Sequence, residues 1–256
     1  MKHFKSLLTI VVLALALTSC MDNDPTQNGV YVGRAEYGTA GYQFDVYGLK
    51  MIPTSQALLT QENISNGDIA FFSFSYNSDE QSLTSETKSL TVDITGVMNC
   101  GNKRVVSNTD NGAGDAAYEN ATIVNLSENN GYVNGPFVHY GKDRDILIVP
   151  MYFLAKSDLS KHTFNLIYNE SEVKTGDKEL KLYLRHISSE EAPSSLGLVI
   201  KAFNINEALY RFKDVAGSAP TKITILTNET NDMKSDKLED AKDEPQSYSI
   251  DYKLDE

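Results

Sequence analysis

ELKLYLRHI, residues 179–187, decides the fold class. Leu180, Leu182, Leu184 and His186 fall on one side of an extended chain, and Lys181, Tyr183 and Arg185 on the other. Successive strand side chains point to opposite faces, so this alternation describes a strand with one buried face. KHTFNLIY (161–168) repeats the pattern, aligning His162, Phe164, Leu166 and Tyr168. DILIVPMYFLA (145–155), GLVIKAFNI (197–205), TKITILT (221–227) and SYSIDYKL (247–254) are further β-branched or aromatic runs. Six such runs in succession predict an antiparallel β-sandwich over residues 133–256. Pro150 lacks an N–H, which predicts an edge position or a bulge for its strand. NEALYRFKD (206–214) is the only helix expected, of one or two turns. Residues 228–246 are charged and poor in apolar side chains, and read as a mobile loop.

Working toward the N-terminus, YVGRAEY (31–37), YQFDVYGLKMI (42–52), DIAFFSFSY (68–76) and SLTVDITGVM (89–98) are strand-like runs between Gly, Asn and Ser turns. Four or five short strands over residues 29–106 suit a small OB-like barrel. The whole chain is therefore expected to be all-β, a barrel followed by a sandwich. Residues 107–132 read as a linker or long loop. GAGDAA (112–117) lies within it and superficially resembles a dinucleotide-binding turn. It lacks the preceding strand and following helix that would aim amides at a pyrophosphate.

The first residues say where the protein resides. Lys2 and Lys5 precede the apolar run LLTIVVLALAL (7–17), then Thr18, Ser19 and Cys20. Eleven apolar residues are too few for a membrane span of about 20 residues, but they suit a secretory signal. LTSC resembles the bacterial lipobox, in which the cysteine becomes the first mature residue and carries a diacylglyceryl group. Residues 1–19 are thus expected to be removed, Cys20 to be the lipid attachment site, and 20–28 to form a tether. Asp22 and Asp24 resemble the surface-export signal of Bacteroidetes lipoproteins, which implies an outer-membrane, surface-exposed location; a periplasm-facing anchor is the alternative.

Removing residues 1–19 leaves 237 of the 256 residues, and loss of the two signal lysines takes the formal charge from −12 to −14. An acidic chain lacks the basic face that displaces counterions from nucleic acid. It also lacks a polybasic patch for anionic lipid, so the membrane is engaged through the anchor alone. Cys100 is the only other cysteine. With Cys20 lipidated it has no intrachain disulfide partner, and after the apolar run VDITGVMNC it reads as a small buried hydrophobe.

The stretches KHTFNLIY, GDKELKLYLRH and GLVIKAFNI, together with the lipobox, resemble the NigD-like lipoproteins of Bacteroidetes. In that family a strand with His-x-x-Asn-Leu is followed by one ending in Arg-His, then by a strand leading into a short turn. The matching positions are His162, Asn165 and Leu166, then Arg185 and His186, then residues 198–209. The resemblance implies an N-terminal OB domain, a C-terminal β-sandwich, and an immunity or accessory role linked to bacteriocin genes. It carries over no catalytic residues. Members usually have a Trp near the first barrel strand, and this chain has none.

Motifs for enzymatic chemistry are missing: no Gly-x-Ser-x-Gly, HExxH, CxxC or Walker loop occurs. No catalytic residue and no cofactor are expected. His139, His162 and His186 are the histidines left after maturation. His162 and His186 have inward parity on two plausible neighbouring strands, so they are candidates for a metal pair or a pH-sensitive latch. The plainer alternative is two core histidines bonded to backbone, since no acid shares their strand face. Asp143, Arg144 and Asp145 read as turn chemistry. Tyr31, Tyr37, Tyr42 and Tyr47 would supply aromatic faces to a glycan, or simply pack. The sequence therefore points to a binding module with a protein partner, or alternatively to a glycan-binding accessory of a surface uptake system.

Overall fold

The computed structural model describes residues 25–108, 119–126, 135–139, 145–156, 158–190, 193 and 195–252. The signal, Cys20, the GAGDAA stretch, Asp143 and Arg144 lie outside these residues. The chain divides into two compact units at Gly101/Asn102.

The first unit is a closed five-stranded barrel of β1 (Thr26–Gly38), β2 (Gly41–Val46), β3 (Leu49–Pro53), β4 (Ile69–Asn77) and β5 (Ser89–Gly101). Its order around the barrel is β1-β2-β3-β5-β4. Strand β1 is long enough to serve two neighbours. Its first part pairs with β4, from Thr26↔Asn77 to Arg34↔Ile69, and its last five residues pair with β2. Closure requires strong bending, and register shifts between Ile69/Ala70 and Ser73/Phe74 supply it where β4 meets β5. The β2–β3 connection is a two-residue turn with Tyr47 at φ 53 and Gly48 at φ 91. Both central residues of such a turn need positive φ to match the strand twist. Gly48 N–H donates to Asp45 Oδ1 at 2.8 Å, which holds the turn.

A short helix, α1 (Ala57–Gln61), follows β3 and buries Leu59; at five residues it is too brief to announce itself by periodicity. The barrel interior holds Phe44 stacked on Phe72 with ring centroids 4.3 Å apart, and Phe74, Met51, Leu90 and Val92 around them.

The second unit has two sheets over one core. Nine of its strands are β6 (Lys103–Arg104), β7 (Val106–Asn108), β8 (Asn125–Leu126), β9 (Phe137–His139), β10 (Ile146–Ala155), β11 (His162–Asn169), β12 (Glu179–Ser188), β13 (Ser195–Asn204) and β14 (Lys222–Thr227). The last is β15 (Gln246–Asp251). One sheet runs β6-β13-β10-β8, with β9 also on β10; the other runs β15-β14-β12-β11-β7. Alternate residues of β10 (Leu147, Val149, Met151, Phe153) meet Phe164, Leu166 and Tyr168 of β11 and Leu180, Leu182 and Leu184 of β12 in one apolar cluster. Those of β11 and β12 are the inward residues predicted from the alternation.

Several expectations are corrected. The sandwich is not purely antiparallel: β12–β14, β11–β7 and β13–β6 are parallel pairs. A parallel neighbour demands a long crossover, and between β12 and β14 the chain visits the other sheet as β13 and then forms helix α2 (Asn206–Ala216). That helix is longer than expected. Ala208, Phe212 and Ala216 recur every four residues and bury one face, and Gly217 ends the helix at φ 83.

Strand β10 is central, and its register with β13 is continuous, so Pro150 is at neither an edge nor a bulge. On its other side β9 pairs with residues 146–148 and β8 with residues 151–152. Among the described residues Pro150 falls between these two pairings, so its missing N–H breaks no described ladder bond on that side.

Residues 228–246 are built into the fold. Thr230 pairs with Ala241, Ile123 with Glu229, and Ala121 with both His186 and Lys237. Glu229 is buried and accepts from Lys242 Nζ at 2.9 Å and Tyr248 Oη at 2.5 Å. Charge density is a poor guide here because the buried Glu229 and the isolated bridges hold a segment whose other charges are mostly exposed. Likewise β6, β7 and β8 occupy parts of the stretches read as barrel end and linker.

Candidate functional site

His162 opens β11, just after a 3₁₀ turn (Leu159–Lys161) whose N–H of Ser160 donates to Asp158 Oδ1 at 3.0 Å. In the β11–β12 ladder His162 lies opposite Ser188, and His186 opposite Phe164. The two histidines are therefore diagonal neighbours on one face, within reach of each other. His162 Nδ1 and His186 Nε2 stand 3.0 Å apart, with rings 25° from parallel. Phe164 stacks on His186 at 4.6 Å, and Phe153 of the facing sheet meets both imidazoles.

The outer nitrogens are also engaged. His186 Nδ1 is 2.8 Å from the Thr122 carbonyl. A carbonyl only accepts, so Nδ1 carries the proton and Nε2 is the acceptor toward His162. Burial pushes the His186 imidazole down to about 4, so the ring is neutral. His162 Nε2 is 3.1 Å from Glu190 Oε2. That carboxylate also accepts from the Lys156 N–H at 2.6 Å, the main cause holding it below the usual carboxylate range. Because His186 Nε2 accepts, His162 Nδ1 is the donor across the 3.0 Å contact. The side chains of His162 and Glu190 are 0% and 2% accessible.

Glu190 is the acid that the alternation missed. It lies beyond the end of β12, so parity says nothing about its direction. The chain Glu190–His162–His186–Thr122 ends on a backbone carbonyl. Its nitrogens are satisfied by one another, so a cation would have to break the 3.0 Å contact. Among the described residues no group of three or more His, Cys, Asp or Glu is poised around a metal position. The geometry is that of a latch. It binds the start of β11, the end of β12, and the segment around Thr122.

A second buried pair reinforces that segment. Arg185, expected on the outer face, is buried with its Nε 3.3 Å from Glu119 Oε2, and Asn228 Nδ2 donates to the same carboxylate at 2.8 Å. Burial raises Glu119 to about 7 against the pull of Arg185 and Asn228. Asn165, another residue of the family-like motif, accepts from Lys103 Nζ at 2.7 Å and so fastens β6 to β11. The His-x-x-Asn-Leu and Arg-His motifs thus mark structural clasps. His139 is buried on β9, in the other sheet.

The aromatic candidates separate cleanly. Tyr31, Tyr42 and Tyr47 pack on the barrel core, with Tyr31 stacked on Phe74 at 5.3 Å. Tyr37 is 73% exposed and touches Tyr42 edge-on. Cys100 is buried and points at the Met98 carbonyl.

The same architecture occurs in solved structures. A candidate lipoprotein of Bacteroides fragilis superposes with a TM-score of 0.72 at 24% identity, covering 90% of this chain and all (100%) of that one. The fold resemblance read from the sequence holds. A protein of unknown function from Bacteroides vulgatus matches with a TM-score of 0.58 at 14% identity, over 89% of this chain and 92% of that one. A NigD-like immunity protein of Bacteroides caccae matches with a TM-score of 0.51 at 10% identity, over 82% of this chain and 89% of that one. At these identities the shared property is the fold. No family model and no curated protein matches the chain.

Proposed function

We propose that this protein is a non-catalytic lipoprotein of the bacterial outer membrane, displayed at the cell surface, that binds another macromolecule in a bacteriocin-linked immunity or accessory role. The observation that carries the reading is the combination of LTSC at 17–20 with a barrel whose first strand starts at Thr26. A lipidated Cys20 then leads almost directly into folded protein. The printed descriptions of two structural neighbours, a candidate lipoprotein and a NigD-like immunity protein, support it. The barrel order, with β3 parallel to β5 and β1 closing on β4, supports the OB assignment. The histidine latch, closed on a backbone carbonyl, supports a structural rather than a catalytic role. A glycan-binding accessory role is the second reading, favoured by the exposed Tyr37.

Protease shaving of intact cells tests the display, with lysed cells and a Cys20→Ala strain as controls. Digestion on intact cells is expected; protection until lysis would move the protein to the periplasmic side. Deletion is expected to change bacteriocin sensitivity or the recovery of a crosslinked partner. If neither changes and a glycan array responds, the second reading replaces the first.

A further inference from the structure

The barrel is closed at the end where the chain enters. The Pro25 carbonyl accepts from Ser78 N–H at 2.8 Å and from Ser78 Oγ at 2.9 Å. In the ladder Thr26 lies opposite Asn77. Pro25 is therefore pinned at the corner where β4 passes into the 78–88 loop, and no slack remains downstream of it. Upstream, only Met21, Asp22, Asn23 and Asp24 separate Pro25 from Cys20. Five residue steps span at most about 18 Å when fully extended. The anchor thus cannot hold the 78–88 end farther than that from the headgroups.

The opposite end is a different matter. From Thr26 to the hairpin tip at 38–41, β1 runs twelve steps, a contour of about 40 Å at ordinary strand rise, shortened end to end by the bend of the closed barrel. The leash therefore caps the headgroup distance of the 78–88 end and sets no such cap on the hairpin tip.

We propose that the 78–88 loop is the membrane-apposed surface of this protein, facing lipid headgroups, while the hairpin tip beside Tyr37 is presented outward. The loop is built for apposition without insertion. Asp79, Glu80, Ser82, Thr84, Ser85, Glu86 and Lys88 are exposed, while Leu83 packs toward the barrel core. Three acids against one lysine, with Asp22 and Asp24 in the leash, are repelled by anionic lipid within a Debye length of about 8 Å. A phosphatidylcholine or phosphatidylethanolamine surface lets the loop settle; an anionic surface repels it within that screening distance.

The inference rests on lipidation of Cys20, and the test separates the two. The full lipoprotein is purified, its N-terminal peptide weighed, and single fluorophores placed through Ser82→Cys or Thr39→Cys; Cys100 is buried and stays unlabelled. The protein is reconstituted on phosphatidylcholine vesicles carrying a short-range headgroup quencher. Quenching several-fold stronger at position 82 than at 39 is expected. Inserting twenty Gly/Ser residues after Met21, which add an r.m.s. reach of about 25 Å, is expected to erase most of the difference. Equal quenching at both positions in a lipidated protein overturns the inference. An N-terminal peptide of unlipidated mass overturns the anchoring itself.

Discussion

The histidine latch makes a quantitative prediction about acid. His186 is neutral in the fold, with its imidazole at about 4 against 6.5 for the free group. A base whose value is depressed by folding binds its proton more readily when unfolded. Stability is therefore intact above about pH 6.5 and is lost as pH falls toward 4. Each tenfold difference in proton affinity between the folded and unfolded chain corresponds to about 1.4 kcal/mol. The loss attributable to this ring is then about 2 kcal/mol at pH 5 and about 3 kcal/mol at pH 4. Lowered Glu190 acts in the same direction, since its carboxylate is stabilised when folded and must be protonated in acid.

Glutamine at position 186 keeps one donor and one acceptor but does not titrate. The chain has two compact units, so a single unfolding curve mixes them. Amide hydrogen exchange on peptides spanning 162–188, from pH 8 to pH 5, reads the latch directly. After correction for intrinsic exchange, the wild type is expected to lose about 2 kcal/mol more protection than His186→Gln over that range. Parallel losses in the two proteins would refute a buried neutral His186. A wild type that gains protection in acid would refute the assigned direction.

Other outcomes follow from the same structure. In Glu119→Gln the pH effect runs the opposite way, because burial raises this carboxyl from 4.5 to about 7. The wild type should lose up to about 3 kcal/mol relative to the variant as pH climbs from 4.5 through 7, read by exchange at the 119–126 amides. Phe153→Ala removes a fully buried ring that touches His162, Phe164 and His186. It should cost about 3–5 kcal/mol in urea unfolding of the second unit. Gly33→Ala would put a Cβ 2.9 Å from Val46 Cγ2 and 3.0 Å from the Asp45 carbonyl. A shift of the urea midpoint equivalent to about 1–3 kcal/mol is expected, confined to the barrel. Lys242→Met leaves the buried Glu229 with Tyr248 but without its lysine; about 2 kcal/mol of lost protection in the 228–242 loop is expected.

The sequence by itself determined the strands and their inward faces. In KLYLRH and HTFNLIY large apolar or aromatic residues recur at every second position, and a period of two can be read without knowing what covers either face; in HTFNLIY both faces prove largely buried. It also gave His162 and His186 the same inward parity, which puts them on one face once their strands pair. The expectation of a leader and a lipidated Cys20 rests likewise on a local string of charge, apolar run and small residues.

Tertiary structure alone decided the rest. Arg185 has outward parity, yet Glu119, 66 positions earlier in the chain, comes to cover it. Glu190 completes the histidine latch from beyond the strand end, where no periodicity constrains direction. Pro150 sits in a central strand, between its described pairings with two short partners. The charged 228–246 stretch holds its place through Glu229, Lys242 and Tyr248. In each case the deciding partner lies far away in sequence, and burial of a polar group depends on that partner rather than on its own neighbours. Local pattern fixes which way a side chain points; only the folded chain supplies what it meets there.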